Sequence, residues 1–171
     1  MKMMKYVAGL AMTLCLAAPA LAQVSGEGGP IRVKADRSEV LDKERKVILV
    51  DNVDITQGDA RLRANVVTLE YGGGATGAGG GPTSGFGDIK TMTARGEVFY
   101  VTPDLKANGD LGIYDAQKDT ITLTGNVVLV RGDDVAQGDR LVMQLAAGKT
   151  TLDGGTSQVN MVIIPNEGGS R

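Results

Sequence analysis

Polar and apolar residues alternate along most of this chain with a period of two, and the alternation is broken at short, regularly placed corners. The clearest stretch is Thr120 to Leu145. Ile121 and Leu123 alternate with Thr120, Thr122 and Thr124, and the β-branched content predicts strand. Gly125-Asn126 punctuates the run, and Val127 to Val130 is apolar and of strand length. Gly132-Asp133-Asp134 has turn chemistry, and Gly138-Asp139 is a second bend before Arg140 to Leu145. Moving Gly96 to Leu123 forward by about 29 residues lays it on Gly125 to Leu152, a period typical of stacked repeats. Gly96 then falls on Gly125, Val98 on Val127, Val101 on Val130 and Gly109-Asp110 on Gly138-Asp139. The corner dipeptide occurs earlier as Ala35-Asp36 and Ala64-Asn65, again about 29 residues apart. The next interval is longer by roughly the length of Gly72 to Gly87, which reads as an insertion between rungs.

Other strands are expected at Ile31 to Ala35, Val47 to Val50, Val53 to Ile55, on both sides of Ala64-Asn65, and at Thr91 to Ala94. They continue at Glu97 to Thr102, Leu111 to Tyr114 and Val159 to Ile164. Asp51-Asn52, Gln57-Gly58-Asp59, Pro103-Asp104, Asp115-Ala116 and Ala147-Gly148 read as turns. Ser38 to Val47 contains good helix formers, but its apolar positions do not recur at helical spacing. The fold class is therefore all-β, of antiparallel strands built from repeated units of about 29 residues.

Residues 1–22 are expected to be a secretory signal peptide. Lys2 and Lys5 precede an apolar stretch from Tyr6 to Ala18, and Ala20-Leu21-Ala22 forms a small-x-small cleavage site. A retained membrane anchor is the alternative, although the apolar run is shorter than the roughly 18 residues a span needs. The one cysteine, Cys15, falls inside that segment, so the mature chain has no disulfide. Residues 23–30 form a flexible lead-in, 31–164 the β domain, 72–87 a glycine-rich loop insertion and 165–171 a polar tail. The loop lacks the Lys-Ser/Thr of a phosphate-binding loop and the spaced aspartates of a calcium repeat.

Composition narrows the chemistry. The chain has no histidine, which removes Ser-His-Asp and Cys-His catalysis and the commonest zinc ligand. Its aspartates concentrate at expected bends, where turn hydrogen bonding favours them. Calcium at Asp133-Asp134 stays open as an oxygen-ligand alternative. No enzyme, cofactor or metal is expected. A net charge of −2, and the absence of tryptophan, argue against nucleic acid and against passive adhesion to an anionic membrane. Function then rests in a surface. Val47 to Val50 and Val127 to Val130 are apolar on both faces, which fits one face in a core and the other against a partner or lipid. A two-sheet sandwich that buries both faces is the alternative.

Ile113-Tyr-Asp115, Ile121-Thr-Leu-Thr-Gly-Asn-Val127, Arg131-Gly132 and Gly138-Asp139 together resemble the organic-solvent-tolerance-like (OstA-like) domain of the LptA family of periplasmic lipopolysaccharide-transport proteins. A weaker first copy is present as Asp51-Asn-Val53, Gln57-Gly58-Asp59 and Leu62-Arg-Ala64. It has Val50-Asp51-Asn52 where the family favours Thr-Gly-Asn, which predicts a less regular entry rung.

The resemblance implies an open-ended, twisted β-jellyroll-like solenoid whose hydrophobic interior shields lipid A acyl chains. It also implies head-to-tail strand association, with further copies of itself and with inner-membrane and outer-membrane transport components of the same fold. The localisation it implies is the periplasm, with the signal peptide cleaved after Ala22. Candidate groove residues are Val33, Leu49, Ile55, Leu69, Val98, Ile113, Leu123, Leu129, Leu141, Met143 and Met161, subject to strand parity. Candidate edge residues are Ile31, Val33, Ala35, Val159, Met161 and Ile163. Two other readings remain open: an inner-membrane-anchored component of the same fold, and a self-associating β-solenoid without lipid cargo.

Overall fold

A computed structural model describes residues 30–72 and 89–164. The expected signal peptide, nearly all of the lead-in and the glycine-rich loop, and the tail lie outside the described residues. Within them the chain forms ten β-strands: β1 (Arg32–Lys34), β2 (Arg37–Leu41), β3 (Lys46–Gln57), β4 (Ala60–Tyr71), β5 (Ile89–Val101), β6 (Lys106–Asp115), β7 (Thr120–Arg131), β8 (Asp134–Gln144), β9 (Lys149–Asp153) and β10 (Asn160–Val162). Every pairing is antiparallel, in the order β1-β3-β4-β5-β6-β7-β8-β10, with β2 also on β3 and β9 also on β8. The ends are never joined, so the sheet is open.

Each long strand is bent near its middle, and the bends line up. The ladder slips between Val50 and Val53, Arg63 and Val66, Arg95 and Val98, Asn108 and Leu111, and Thr124 and Val127. Such a bulge bends the strand and increases its local right-handed twist. The sequence supplies residues that accept the conformation. Gly96 and Gly125 have φ of +76° and +81°, each followed by a second left-handed residue, Glu97 or Asn126. Asp51 and Asn52 take the same conformation at 59° and 49° without a glycine, since short polar side chains tolerate it. The first copy is therefore as regular as the others, contrary to the sequence-based expectation.

The facing corner residue completes each bend. Asn52 Nδ2 donates to Asp36 Oδ2 at 2.6 Å, and Asn126 Nδ2 donates to Asp110 Oδ2 at 2.9 Å. A Cβ on Gly96 would sit 2.8 Å from Asn65 Nδ2, and one on Gly155 would sit 2.9 Å from Asp139 Oδ2. The corner dipeptides read from the repeat therefore form one line down the molecule. Asp51-Asn52 is a bend inside β3 rather than a turn between strands.

That line folds the sheet into two leaves. One leaf contains β1, 53–57, 60–64, 98–101, 106–109, 127–131, 134–138 and β10. The other contains β2, 46–50, 66–71, 89–95, 111–115, 120–124, 140–144 and β9. Their facing sides carry the core, and the opposite sides are half-buried or exposed. The alternative sandwich with both faces buried is not what forms.

β2 and β9 were not expected as strands. Arg37-Ser-Glu-Val-Leu41 is too polar to read as one, and it gains order by pairing with β3.

Candidate functional site

The interior of the fold is a set of side-chain rows running across the strands. Pairing places Val33, Ile55, Leu62, Tyr100, Ala107, Leu129, Ala136 and Met161 in one unbroken row on the first leaf. On the second leaf, Val40, Val47, Leu69, Met92, Tyr114, Ile121, Met143 and Thr150 form the facing row. Eight strands at about 4.8 Å spacing make this interior about 34 Å long.

Depth below the line of bends decides what each residue does. Nearest the bends the leaves are in contact. A Cβ on Gly112 would meet Leu123 Cδ2 at 3.0 Å and Val98 Cγ1 at 3.1 Å, so only glycine lets these rows close. Val53, Val98, Leu123 and Leu141 are buried there, and they are the floor. Between the leaves, a void of about 20 Å³ is bounded by Leu62, Met92, Tyr100, Tyr114 and Ile121. Its lining is almost wholly apolar, so a water there would find few polar partners.

Farther out the leaves separate. A cleft of about 440 Å³ opens between the hairpin tips, with Ala60, Tyr100, Leu105, Met143 and Leu145 among its lining. Asp59, Asp104, Arg131 and Lys149 stand at its rim. The ends of β4 and β5, which the glycine-rich segment joins, lie on the same side as this mouth.

Ten of the eleven groove candidates lie on the interior face. Leu49, Ile55, Val98, Leu123, Leu141 and Met143 are buried, and Leu69 and Leu129 pack against them half-buried. Val33 and Met161 are on the same face but 41% and 54% exposed, because no strand follows them. Ile113 is on the outside. It pairs with Thr93 and Thr122, while Gly112 and Tyr114 hold the interior positions of β6. Of the edge candidates, Val159, Met161 and Ile163 are exposed, and Ile31 and Ala35 pack against the core.

Sequence reasoning missed Tyr100, Leu105 and Leu145 as mouth residues. Parity assigns a face, but distance from the bend assigns depth, and only the corner positions carry that signal.

Burial pushes the Tyr100 hydroxyl up to about 12, with Tyr114 adding to the shift. The interior therefore resists charge. On the outside, Arg61 bonds Asp54 through Nε at 2.8 Å and Nη2 at 2.5 Å, holding that carboxyl below the usual range. Among the described residues, no three His, Cys, Asp or Glu side chains are grouped to hold a metal. At the open calcium alternative, Asp134 Oδ1 accepts the Ile164 N–H at 2.9 Å.

The family model for the LptA/(LptD N-terminal domain) LPS transport protein matches residues 32–149. An uncharacterized protein of Rhizobium meliloti is 35% identical over 167 residues, covering 91% of this chain and 87% of that protein. The lipopolysaccharide export system protein LptH of Pseudomonas aeruginosa is 27% identical over 163 residues, 86% of either chain. The lipopolysaccharide export system protein LptA of Escherichia coli K12 is 27% identical over 160 residues, 90% of this chain and 81% of that protein. The crystal structure of P. aeruginosa LptH, described as the LptA homologous periplasmic component of a lipopolysaccharide transport device, superposes with a TM-score of 0.65. It is 24% identical and covers 80% of this chain and 96% of that one, a likeness of fold.

Proposed function

The chain belongs to the LptA/LptD N-terminal domain family of LPS transport proteins, and from that premise we propose that it carries lipopolysaccharide through the periplasm. The acyl chains of lipid A would lie between the two leaves, and copies would join end to end. The observation that carries this reading is the pair of facing apolar rows that run without a break from one open end to the other. An amphiphile entering at the cleft would seat its chains against Tyr100, Leu105, Met143 and Leu145 and keep its head group at the charged rim. Burial of each methylene gains about 0.8 kcal/mol, so ten of them gain about 8 kcal/mol, enough to hold a chain out of water. The floor residues Val53, Val98, Leu123 and Leu141 are structural in this reading.

At the two ends, the exposed Val33, Val40 and Met161 continue the interior rows, and β1, β2, β9 and β10 leave backbone edges unpaired. Such edges accept another strand. A contact between unlike ends repeats without closing and gives a filament. Partners with the same fold at the inner and outer membranes would use these edges. Residues 1–22 direct export and are removed after Ala22, which places the mature chain in the periplasm. No catalytic step is needed for any of this.

The test is a pair of substitutions at different depths. Leu145→Asp at the mouth is expected to abolish capture of lipopolysaccharide while leaving the fold intact. Leu141→Asp on the floor is expected to unfold the chain, since a buried charge without a partner costs several kcal/mol. Undiminished lipid capture by a folded Leu145→Asp protein would overturn the proposal. N-terminal sequencing that finds Met1 retained would select the anchored alternative.

A further inference from the structure

The sheet has an outer side as well, and its charge is segregated. On the leaf that carries β1, pairing places Arg32, Thr56, Arg61, Val101 and Lys106 in one outward row, followed by Val130, Val135 and Val162. The neighbouring row starts Lys34, Asp54, Arg63 and Phe99. Five exposed cations thus share one outer face with a single carboxylate in these two rows, Asp54, which Arg61 already engages. Asp59 and Asp104 sit at the hairpin tips, bordering the cleft. Directly opposite Arg63 stands Phe99, which is 47% exposed in a chain with only two phenylalanines.

A cluster of cations bordered by an exposed aromatic and a row of valines is the composition of a surface that adsorbs at a lipid interface. We propose that this outer face docks on an anionic lipid surface, with Arg32, Lys34, Arg63 and Lys106 against the phosphates and Phe99 at the acyl boundary. The net charge, −2 for the full chain and −4 without Lys2 and Lys5, argues otherwise only as an average. Charges more than about 8–10 Å from the surface are screened at physiological salt, so the local face decides. The cations are spread over β1, β4 and β6 rather than gathered around a cavity, which favours a surface over a single free phosphate. The inference is independent of lipid carriage, because this face points away from the interior.

Each cation near an anionic surface strengthens partition about fivefold. The protein beginning at Gln23, which contains every described strand, is mixed with vesicles of phosphatidylcholine alone or with about one-third phosphatidylglycerol and sedimented. It is expected to pellet only with the anionic vesicles and to be released by 0.5 M salt, where the screening length is about half its value at physiological salt. Lys34→Glu with Arg63→Glu removes four charges' worth of attraction and should weaken partition by more than about a hundredfold. Arg32→Glu with Lys34→Glu, both on the short edge strand β1, gives the same test without touching the central sheet. Phe99→Ser should weaken binding without changing its salt dependence.

Capture of lipopolysaccharide by the groove should be unaffected by these outer changes, which separates the two ideas. Equal binding to both vesicle types, no binding, or anionic binding that survives either double reversal would overturn the proposal. So would competition by inorganic phosphate beyond that of sodium chloride at equal ionic strength.

Discussion

Replacing Gly125 with alanine tests whether the line of bends is what folds the sheet into two leaves. Gly125 has φ +81°, and an added Cβ would overlap Asp110 Oδ2 and lie 3.0 Å from Asp110 Cβ. Asp110 would have to turn away and release Asn126 Nδ2, which it accepts at 2.9 Å. Gly132 is the control, because its φ is +59° and nothing lies within 4 Å of an added Cβ. Both substitutions carry the left-handed penalty of about 1 kcal/mol, offset by about 0.5 kcal/mol from a stiffer unfolded chain. Only Gly125→Ala adds the lost hydrogen bond, about 1–2 kcal/mol, and crowding of about 1–2 kcal/mol.

Urea unfolding followed by circular dichroism should therefore place Gly125→Ala about 2–4 kcal/mol below Gly132→Ala, with an unchanged denaturant slope. At about 3 °C per kcal/mol for a chain of this size, thermal midpoints should differ by about 6–12 °C. Adding Asp110→Ala removes the obstruction and should recover part of the loss, giving a coupling energy between the two sites. If Gly125→Ala and Gly132→Ala are equally stable, the close corner does not hold the bend.

Three further outcomes follow from the site and its surroundings. Tyr100 titrates near 10 when unfolded but at about 12 when folded, so its contribution is complete below pH 10 and is lost as pH rises through 12. Alkaline unfolding should shift upward in Tyr100→Phe, by at most about 3 kcal/mol of recovered stability. Asp54 is lowered by its hydrogen bonds to Arg61, so that pair stabilises above the unfolded carboxyl value and fades as pH falls through the folded one. Asp54→Asn should remove less than about 1 kcal/mol at neutral pH, read by urea titration at pH 7 and pH 3, because Arg61 is half exposed. Val33→Lys or Met161→Lys, each at an exposed end of an interior row, should suppress concentration-dependent association in sedimentation velocity while costing little stability.

Much of this fold is legible in the sequence because strands announce themselves by alternation and bends by residues that tolerate left-handed backbone. Ala64-Asn65, Gly109-Asp110 and Gly138-Asp139 mark one side of the fold line, and Gly96, Gly125 and Asn126 the other. Parity placed ten groove candidates on the interior face. It misplaced Ile113 because the inward position beside it is Gly112, kept small so that Val98 and Leu123 can approach. A glycine carries no hydropathy signal of its own, so the aliphatic neighbour was read instead.

Depth was not legible either. Leu141 and Leu145 are both inward leucines of one strand and its turn, yet one is floor and the other borders the cleft. The difference is their distance from Asp139, a property of the bent strand. The segregated outer charge was hidden for a related reason. Arg32, Lys34, Arg61 and Arg63 are distributed over two separate stretches of sequence and meet only through β3.

The central claim is that the interior carries lipid. Mass spectrometry of organic extracts, taken from the protein purified from its own periplasm, tests it most directly. Lipopolysaccharide or lipid A is expected in stoichiometric amount, lost in Leu145→Asp and retained in Val33→Lys. A protein that is free of lipid yet still self-associates with rising concentration would contradict it and leave a structural filament of the same fold.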